Sequence, residues 1–195
     1  MNKILATLAL FCLFFTAGNL QAQETRMLSL TLPPNFASQI CAKLPKHEGR
    51  VVWKGVQDKR VQSELGYESK KKFKDPIAIY ANPELEVIFE DALKQILTSC
   101  GWTLVKEAEP NVLKLSAQIE EFQANVERGI ILGKGKAGSR LVLIGELPQK
   151  EWKSKVGYEI EFKSTRGLSL KRIRDTLNEL FAKTLEQVPS IEALR

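Results

Sequence analysis

The chain has 195 residues, of which 44% are hydrophobic and 27% are charged, and its formal net charge is +6. That length is enough for one domain with a sizeable core, so no second domain is needed. The sequence has no Cys-x-x-Cys spacing, and its single histidine, His47, lies in a Pro-Lys-His-Glu-Gly segment, which argues against a metal site. We expect no metal and no cofactor.

The first 22 residues have the layout of a secretory signal peptide. Lys3 opens a short positive segment, an apolar run covers Ile4 to Phe15, and Leu20-Gln21-Ala22 supplies a cleavage site. The run is shorter than the ~20 residues that a membrane-spanning helix needs. We predict a signal peptide at 1–22 and a single α/β domain at 23–195. Export argues against nucleic acid and nucleotide cofactors as partners.

Cys12 raises the alternative of a lipid anchor. In a bacterial lipoprotein the acceptor cysteine follows a small residue at the end of the apolar run, but bulky Phe11 precedes Cys12 and Leu13-Phe14-Phe15 continues the run. Cleavage after Ala22 is therefore favoured over lipidation. We expect a soluble periplasmic protein that can still associate with the outer membrane.

Strand and helix patterns alternate in the first half of the mature chain. Met27 to Leu32 and Arg50 to Gln57 have the pattern of strands, and a short helix is predicted at about 35–44 between them. A polar loop at 58–66 follows, and Ile77 to Tyr80 is a short extended segment.

The clearest predicted element is a helix after Ala81. Asn82 is a good N-cap, Pro83 suits the first helical position, and Gly101 can end the helix in the left-handed conformation. The apolar residues recur at i, i+3 and i+4, which predicts one face packed on a sheet. They are Leu85, Ile88, Phe89, Ala92, Leu93, Ile96, Leu97 and Cys100.

The second half is rich in strands and ends in a helix. Strands are predicted at 102–106, 112–126, 139–147 and 155–163, with a bulge at Glu120-Glu121. A final helix follows Ser169, its expected N-cap. Its predicted apolar stripe is Leu170, Ile173, Leu177, Leu180, Phe181, Leu185 and Val188. The chain is thus predicted to be an α/β (α+β) protein, a single layered domain. Its mixed or antiparallel sheet has five to seven strands, with two main amphipathic helices on one face.

Cys41 and Cys100 are the two cysteines of the mature chain. An oxidising compartment permits them to form a disulfide. Each also continues the apolar face of a predicted helix, so two separate buried thiols explain the pattern equally well.

Two basic segments suggest a contact with an acidic surface. Gly133 to Gly138 matches Gly-x-Gly-x-x-Gly, but a strand follows it where a dinucleotide site needs a helix, so we interpret it as a flexible hairpin tip. We expect this tip and the turn at 150–153 to form one end of the sheet, where they contact an anionic lipid or glycolipid surface. A solvated basic surface is the alternative. The residues concerned are Lys134, Lys136, Arg140, Lys150 and Lys153.

We identify no catalytic residues. The chain has only four aspartates, and no serine or cysteine lies in a nucleophile elbow. Glu159 and Glu161 share the polar face of a strand with Lys155 and Lys163, which favours ion pairing or solvation over acid–base chemistry. Asp58 and Arg60 are interpreted as a pair that fixes a loop, at a position where a binding role can also lie.

The order of elements resembles the YajG-type lipoproteins of bacterial envelopes over about residues 27–195. The resemblance rests on the loop pattern Val56, Asp58, Arg60, Gly66, on the long helix that ends in Cys100-Gly101-Trp102, and on the strand pair, hairpin and terminal helix. It implies anchoring to the outer membrane by an N-terminal lipid and no established catalytic residues. Val188-Pro189-Ser190-Ile191 is similar to a segment of the lipopolysaccharide-assembly lipoprotein.

These features together favour a non-enzymatic protein, periplasmic or associated with the outer membrane, that docks a protein partner of an envelope assembly. The alternative is a carrier of an acidic or acyl ligand or a glycolipid, for which a deep apolar cavity would be the marker. An envelope hydrolase is the third reading.

Overall fold

The computed structural model describes most of the chain, and the expected signal peptide lies outside the described residues. None of the helices in the described part is long and apolar enough to span a membrane. The described residues are 24–42, 44, 48–68, 76–106, 111–127, 133–164 and 169–191.

Eight strands form one mixed sheet in the described chain, which confirms the predicted class but exceeds the five to seven strands expected. The additional strand is a short one, β3, which begins at Gly66, the last residue of the predicted polar loop. The strands are β1 Thr25–Leu28, β2 Arg50–Asp58, β3 Gly66–Glu68, β4 Ile77–Ala81, β5 Thr103–Val105, β6 Leu113–Glu127, β7 Gly133–Leu147 and β8 Lys150–Ser164.

The long strand β6 is the centre of the sheet. Along one edge it pairs antiparallel with β7, which in turn pairs with β8. Along its other edge it pairs in parallel first with β2 and then, at Ala124, with Gly66 of β3. The predicted bulge is confirmed by a register shift between Ile119 and Glu121.

Within the residues that the structure describes, three α-helices accompany the sheet: α1 (Phe36–Cys41), α2 (Leu85–Ser99) and α3 (Leu170–Glu186). The apolar stripes predicted for α2 and α3 are buried against the sheet. At the centre of the core, the Phe89 ring of α2 lies 5.4 Å from that of Phe122 on β6 and 4.7 Å from that of Phe181 on α3. Ser169 caps α3 as predicted, because its hydroxyl accepts a hydrogen bond from the Arg172 N–H.

The predicted start of α2 was wrong. Glu84 is the N-cap, and the Asn82–Pro83 peptide bond, which is cis, precedes the helix. Asn82 does not cap because its backbone is bonded to the segment around β1: its N–H donates to the Leu28 carbonyl at 3.0 Å and its carbonyl accepts from Ser29 Oγ at 2.7 Å. The predicted end at Gly101 is confirmed by a φ of 99°.

The predicted Gly-rich hairpin tip was also wrong, since Gly133 to Gly138 belong to β7. The predicted turn at 150–153 is the start of β8. The glycines are explained by close packing between the strands: a Cβ at Gly135 would overlap the Phe162 ring of β8, and one at Gly145 would overlap Trp152. Here glycine makes room for aromatic rings across the sheet.

A disulfide joins Cys41 at the end of α1 to Cys100 just after α2, with the two Cα atoms 5.0 Å apart. It ties the short helix to the main helical layer. Of the two arrangements that the sequence left open, the structure has the disulfide.

Candidate functional site

The connection between β2 and β3 is held in place by one buried arginine. We call residues 59–65 the Arg60 loop. The Arg60 side chain is only 7% exposed, and its Nη2 lies 2.8 Å from Asp58 Oδ2. Its Nε donates to Asp58 Oδ1 at 2.9 Å, so the guanidinium meets the carboxylate with two nitrogens. Such bidentate pairs fix orientation as well as charge.

The remaining donors of Arg60 bind backbone carbonyls at the far end of the loop and on the sheet. Nη1 donates to Glu64 at 3.3 Å and to Phe122 of β6 at 3.1 Å, and Nη2 donates to Ser63 at 3.1 Å. All three guanidinium nitrogens are therefore bonded within the fold. The side chain fixes the loop and has no donor directed at a ligand.

The tip of this fixed loop presents an apolar side chain to solvent. Val61 is 103% exposed, and its neighbour Gln62 is exposed as well. Leu65, at the other end of the loop, is fully buried and anchors it to the core. Val61 was not among the predicted site residues, although an apolar residue within a polar loop was a usable signal.

The Arg60 loop forms a ridge between two surface grooves. A groove of about 470 Å³ lies between the loop and the outer face of β6 and β7. A second, of about 380 Å³, lies between the loop, β4 and the start of α2, and it includes Met27, which is 61% exposed. The first is lined by Arg60, Val61, Gln62, Glu120, Glu121, Phe122, Gln123, Asn125 and Arg140.

The second groove is acidic, and two of the carboxylates that line it, those of Asp58 and Glu86, have structural partners. Glu86 Oε1 accepts a 2.7 Å hydrogen bond from the Asp58 N–H, which binds the base of the loop to α2. The Tyr80 hydroxyl donates to Glu64 Oε1 at 3.3 Å. Partial burial, and then the negative charge of Glu64, raise the pKa of Tyr80 above its ordinary value. That hydroxyl remains a hydrogen-bond donor at neutral pH.

The basic residues predicted to contact an acidic surface do not form one end of the sheet. Lys134 and Lys136 lie near the start of β7, whereas Lys150 and Lys153 of β8 pair with Leu147 and Ile144 near its other end, roughly 25–45 Å away at the rise of a strand. The expectation failed because the Gly-rich segment is strand, so it does not fold back towards the turn.

Several of these cations are also matched by acids on the outer face of the sheet. Lys136 pairs with Glu159 at 2.8 Å, Arg140 with Glu121 at 3.6 Å, and Lys153 with Glu151 at 3.3 Å. These groups are largely exposed, so each pair contributes little to stability. The face is a mosaic of both charges, and the side chain of Lys134 lies outside the described residues.

A separate groove of about 820 Å³ lies between α1 and the end of α3, close to the disulfide. Apolar Phe36, Ile40 and Leu44 contribute to its lining, together with the paired charges of Lys183 and Glu186. In the described part of the chain, no cluster of three or more His, Cys, Asp or Glu side chains is arranged to hold a metal ion.

No curated protein is significantly similar in sequence. Similar solved structures include a DUF330 protein from Xanthomonas campestris, with 10% identity and a TM-score of 0.48 over 84% of this chain and 92% of that one. A lipoprotein from Neisseria meningitidis has 10% identity and a TM-score of 0.34 over 73% and 99%. A hypothetical protein from Chlamydia trachomatis has 13% identity and a TM-score of 0.36 over 74% and 95%. At such low TM-scores these likenesses carry no argument about function.

The family described as "Uncharacterized lipoprotein" matches residues 46–192, which is most of the chain. The match begins before β2 and ends after α3, so it includes the Arg60 loop and both main helices. Lipoproteins are exported proteins associated with the cell envelope. The protein therefore belongs to this family of uncharacterized lipoproteins, the YajG family.

Proposed function

We propose that the protein is a non-enzymatic accessory protein of the cell envelope, periplasmic or attached to the outer membrane, that docks a protein partner through the Arg60 loop. The single observation that carries this proposal is the combination of a buried, fully bonded arginine with a fully exposed valine next to it. Ordering the loop in advance lowers the entropic cost of binding.

The length of the loop supports a role beyond connecting two strands. Asp58 of β2 pairs with Ile119 of β6, and Gly66 of β3 pairs with Ala124. Between these two pairs β6 advances by five residues, whereas the segment from β2 to β3 advances by eight. A chain that only joined β2 to β3 would need no excursion there. The additional residues place Val61 and Gln62 outside the sheet, between two grooves that a partner's side chains can enter.

The charged groups at the loop favour docking over hydrolysis. Asp58 is bonded to Arg60, and Glu86 is bonded to the Asp58 N–H. Carboxylates engaged in this way hold the loop in shape and are not free to activate a water molecule.

The test is a photo-crosslinking amino acid placed at Val61 of the full chain in intact cells. We expect one adduct of discrete mass with an envelope protein. The matched control is Val87 on α2, another exposed valine at 47%, which should give none. The adduct should also weaken in an Arg60→Lys background, because lysine cannot bond Asp58 and three carbonyls at once.

Equal crosslinking from Val61 and Val87, or none from either, would contradict docking at the loop. An anionic lipid or glycolipid surface would then be the partner to test. Co-sedimentation of the mature chain with phosphatidylglycerol vesicles, lost when Lys136 and Lys153 are changed to Gln, would support that partner instead.

A second candidate is the carrier function, favoured by the groove between α1 and α3. Its volume of about 820 Å³ is within the range of small-ligand sites, and its apolar side chains suit an acyl chain. A fluorescent fatty acid should then bind to the mature chain, and Ile40→Asp should abolish its binding. No saturable binding by the unmodified chain would rule this function out.

A further inference from the structure

Strand β8 forms a long free edge of the sheet. It has 15 residues and, among the described strands, pairs only with β7. An unpaired edge of this length is a template for another strand unless the sequence blocks it. No proline occurs in β8 to do so.

The direction of the backbone groups follows from two contacts in the middle of the strand. The N–H and carbonyl of Tyr158 both bond to Ser139 Oγ of β7. The Gly157 carbonyl, one residue earlier, instead accepts from Gln187 Nε2 at 2.8 Å. The backbone N–H and carbonyl groups of successive residues point to opposite edges of a strand. The odd-numbered residues of β8 therefore present these groups to the free edge.

The charges of the odd-numbered side chains are arranged symmetrically about Gly157 with opposite sign. Each charged residue on one side of Gly157 has a residue of opposite charge at the same distance on the other side. Lys155 and Glu159 lie two positions on either side of it, Lys153 and Glu161 four positions, and Glu151 and Lys163 six. In an antiparallel pair of two β8 strands centred on Gly157, each of these residues would face the opposite charge. Opposite charges directly across a strand pair are stabilising, and like charges are destabilising.

We propose that the protein forms a two-fold symmetric homodimer in which β8 pairs antiparallel with β8 of a second copy, with Gly157 at the axis. The neighbouring registers match the charges less well. A shift of two residues one way places Glu151 opposite Glu161, and a shift the other way places Lys153 opposite Lys163. Each shifted register keeps one kind of opposite-charge pair, whereas the register centred on Gly157 has three. A two-fold dimer with an isologous interface is the commonest closed assembly of identical chains.

The side chains on the helix side of the sheet suit the same register. Trp152 would face Phe162, and Val156 would face the half-exposed Tyr158, so aromatic and branched side chains meet across the new strand pair. Gln187 does not prevent this arrangement. It uses one acceptor position of the Gly157 carbonyl, and a carbonyl oxygen can accept a second hydrogen bond.

The first test is analytical ultracentrifugation of the mature chain and of charge variants. We expect a dimer for the parent chain, and a dissociation constant at least about tenfold higher for Glu161→Lys, because two attractive pairs per dimer become repulsive. The double variant Lys153→Glu/Glu161→Lys restores opposite charges and should restore dimerisation. Asp91→Lys, a charge reversal on the exposed face of α2, should have no effect.

The second test fixes the register with cysteines. Lys155→Cys/Glu159→Cys should form covalent dimers on oxidation. In the proposed dimer, position 155 of one copy faces position 159 of the other, with their Cα atoms about 5.5 Å apart. They cannot bond within one chain, where they are roughly 13 Å apart. Lys155→Cys/Glu161→Cys is the matched control and should not form the crosslinked dimer.

A parent chain that stays monomeric at its highest soluble concentration would overturn the proposal. So would a dimer that Glu161→Lys does not weaken, or equal crosslinking by the two cysteine pairs. Each variant's denaturant midpoint shows whether its monomer is folded, so misfolding cannot be mistaken for loss of the interface.

Discussion

Glu86 Oε1 accepts a 2.7 Å hydrogen bond from the backbone N–H of Asp58, and this contact connects the first main helix to the base of the Arg60 loop. Asp58 and Glu86 are 28 residues apart in the sequence. The loop is therefore held from two sides, by Arg60 towards β6 and by Glu86 towards α2. Its conformation depends on the packed core beneath it.

Replacing Arg60 should destabilise the protein. Arg60→Ala leaves the Asp58 carboxylate and three backbone carbonyls without their donor, and unpaired buried groups of this kind cost about 1–3 kcal/mol or more. We expect the free energy of unfolding in urea to fall by at least about 2 kcal/mol. A fall below roughly 0.5 kcal/mol, the level of ordinary surface changes, would show that the loop does not depend on this side chain.

The stability of the protein should fall at alkaline pH through Tyr80. Its pKa is raised from the ordinary value of 10.0 in the fold, first by burial and then by Glu64. The folded state thus favours the protonated hydroxyl. This contribution is complete below pH 10 and is lost as pH rises through the folded pKa.

Comparison with Tyr80→Phe isolates this effect from the titration of other groups. Above pH 10 the parent chain should lose more unfolding free energy than the variant does. Parallel pH profiles for the two proteins would argue against a raised pKa at this tyrosine.

The aromatic cluster should be the most sensitive part of the core. Phe89 and Phe181 are each 1% exposed, and their rings are in edge-to-face contact. Phe89→Ala or Phe181→Ala should lower the unfolding free energy by roughly 3–5 kcal/mol through lost burial and the remaining cavity. Val87→Ala on the exposed side of α2 is the control. An unchanged midpoint for Phe89→Ala would mean that this face of α2 is not core.

Loss of the disulfide should lower stability by about 4 kcal/mol in the chain-entropy model, because it closes a loop across a sequence separation of 59. The variant Cys41→Ser/Cys100→Ser tests this by thermal or urea unfolding. Adding reductant to the parent chain should lower its midpoint to that of the variant, while the variant itself should not respond. A parent that is insensitive to reductant under unfolding conditions would contradict the prediction.

Local patterns in the sequence predicted the parts of the fold that depend on neighbouring residues. The stripes of α2 and α3 repeat at helical spacing, Ser169 can cap its own helix, and the acids at 120–121 interrupt an alternation within one strand. These elements were placed correctly because the residues that determine them are close together in the chain.

The errors occurred where distant residues decide the structure. Gly135 looks like part of a flexible tip until Phe162 of β8 is placed across it, and Asn82 looks like a helix cap until β1 engages its backbone. The site was only half predicted for the same reason. Asp58 and Arg60 are close in sequence, but Glu86 and the Phe122 carbonyl join them only through the fold.

The two edges of β6 differ in how far along the chain their partners lie. β7 and β8 follow β6 directly in the sequence through short connections. In contrast, β2 is separated from β6 in the sequence by β3, β4, α2 and β5. Contacts between distant segments carry a larger entropic cost of loop closure and form later in folding. The three-stranded meander can therefore serve as the template on which the parallel half of the sheet assembles. A chain emerging from an export channel from its N-terminus would complete the sheet only after its last strands had arrived.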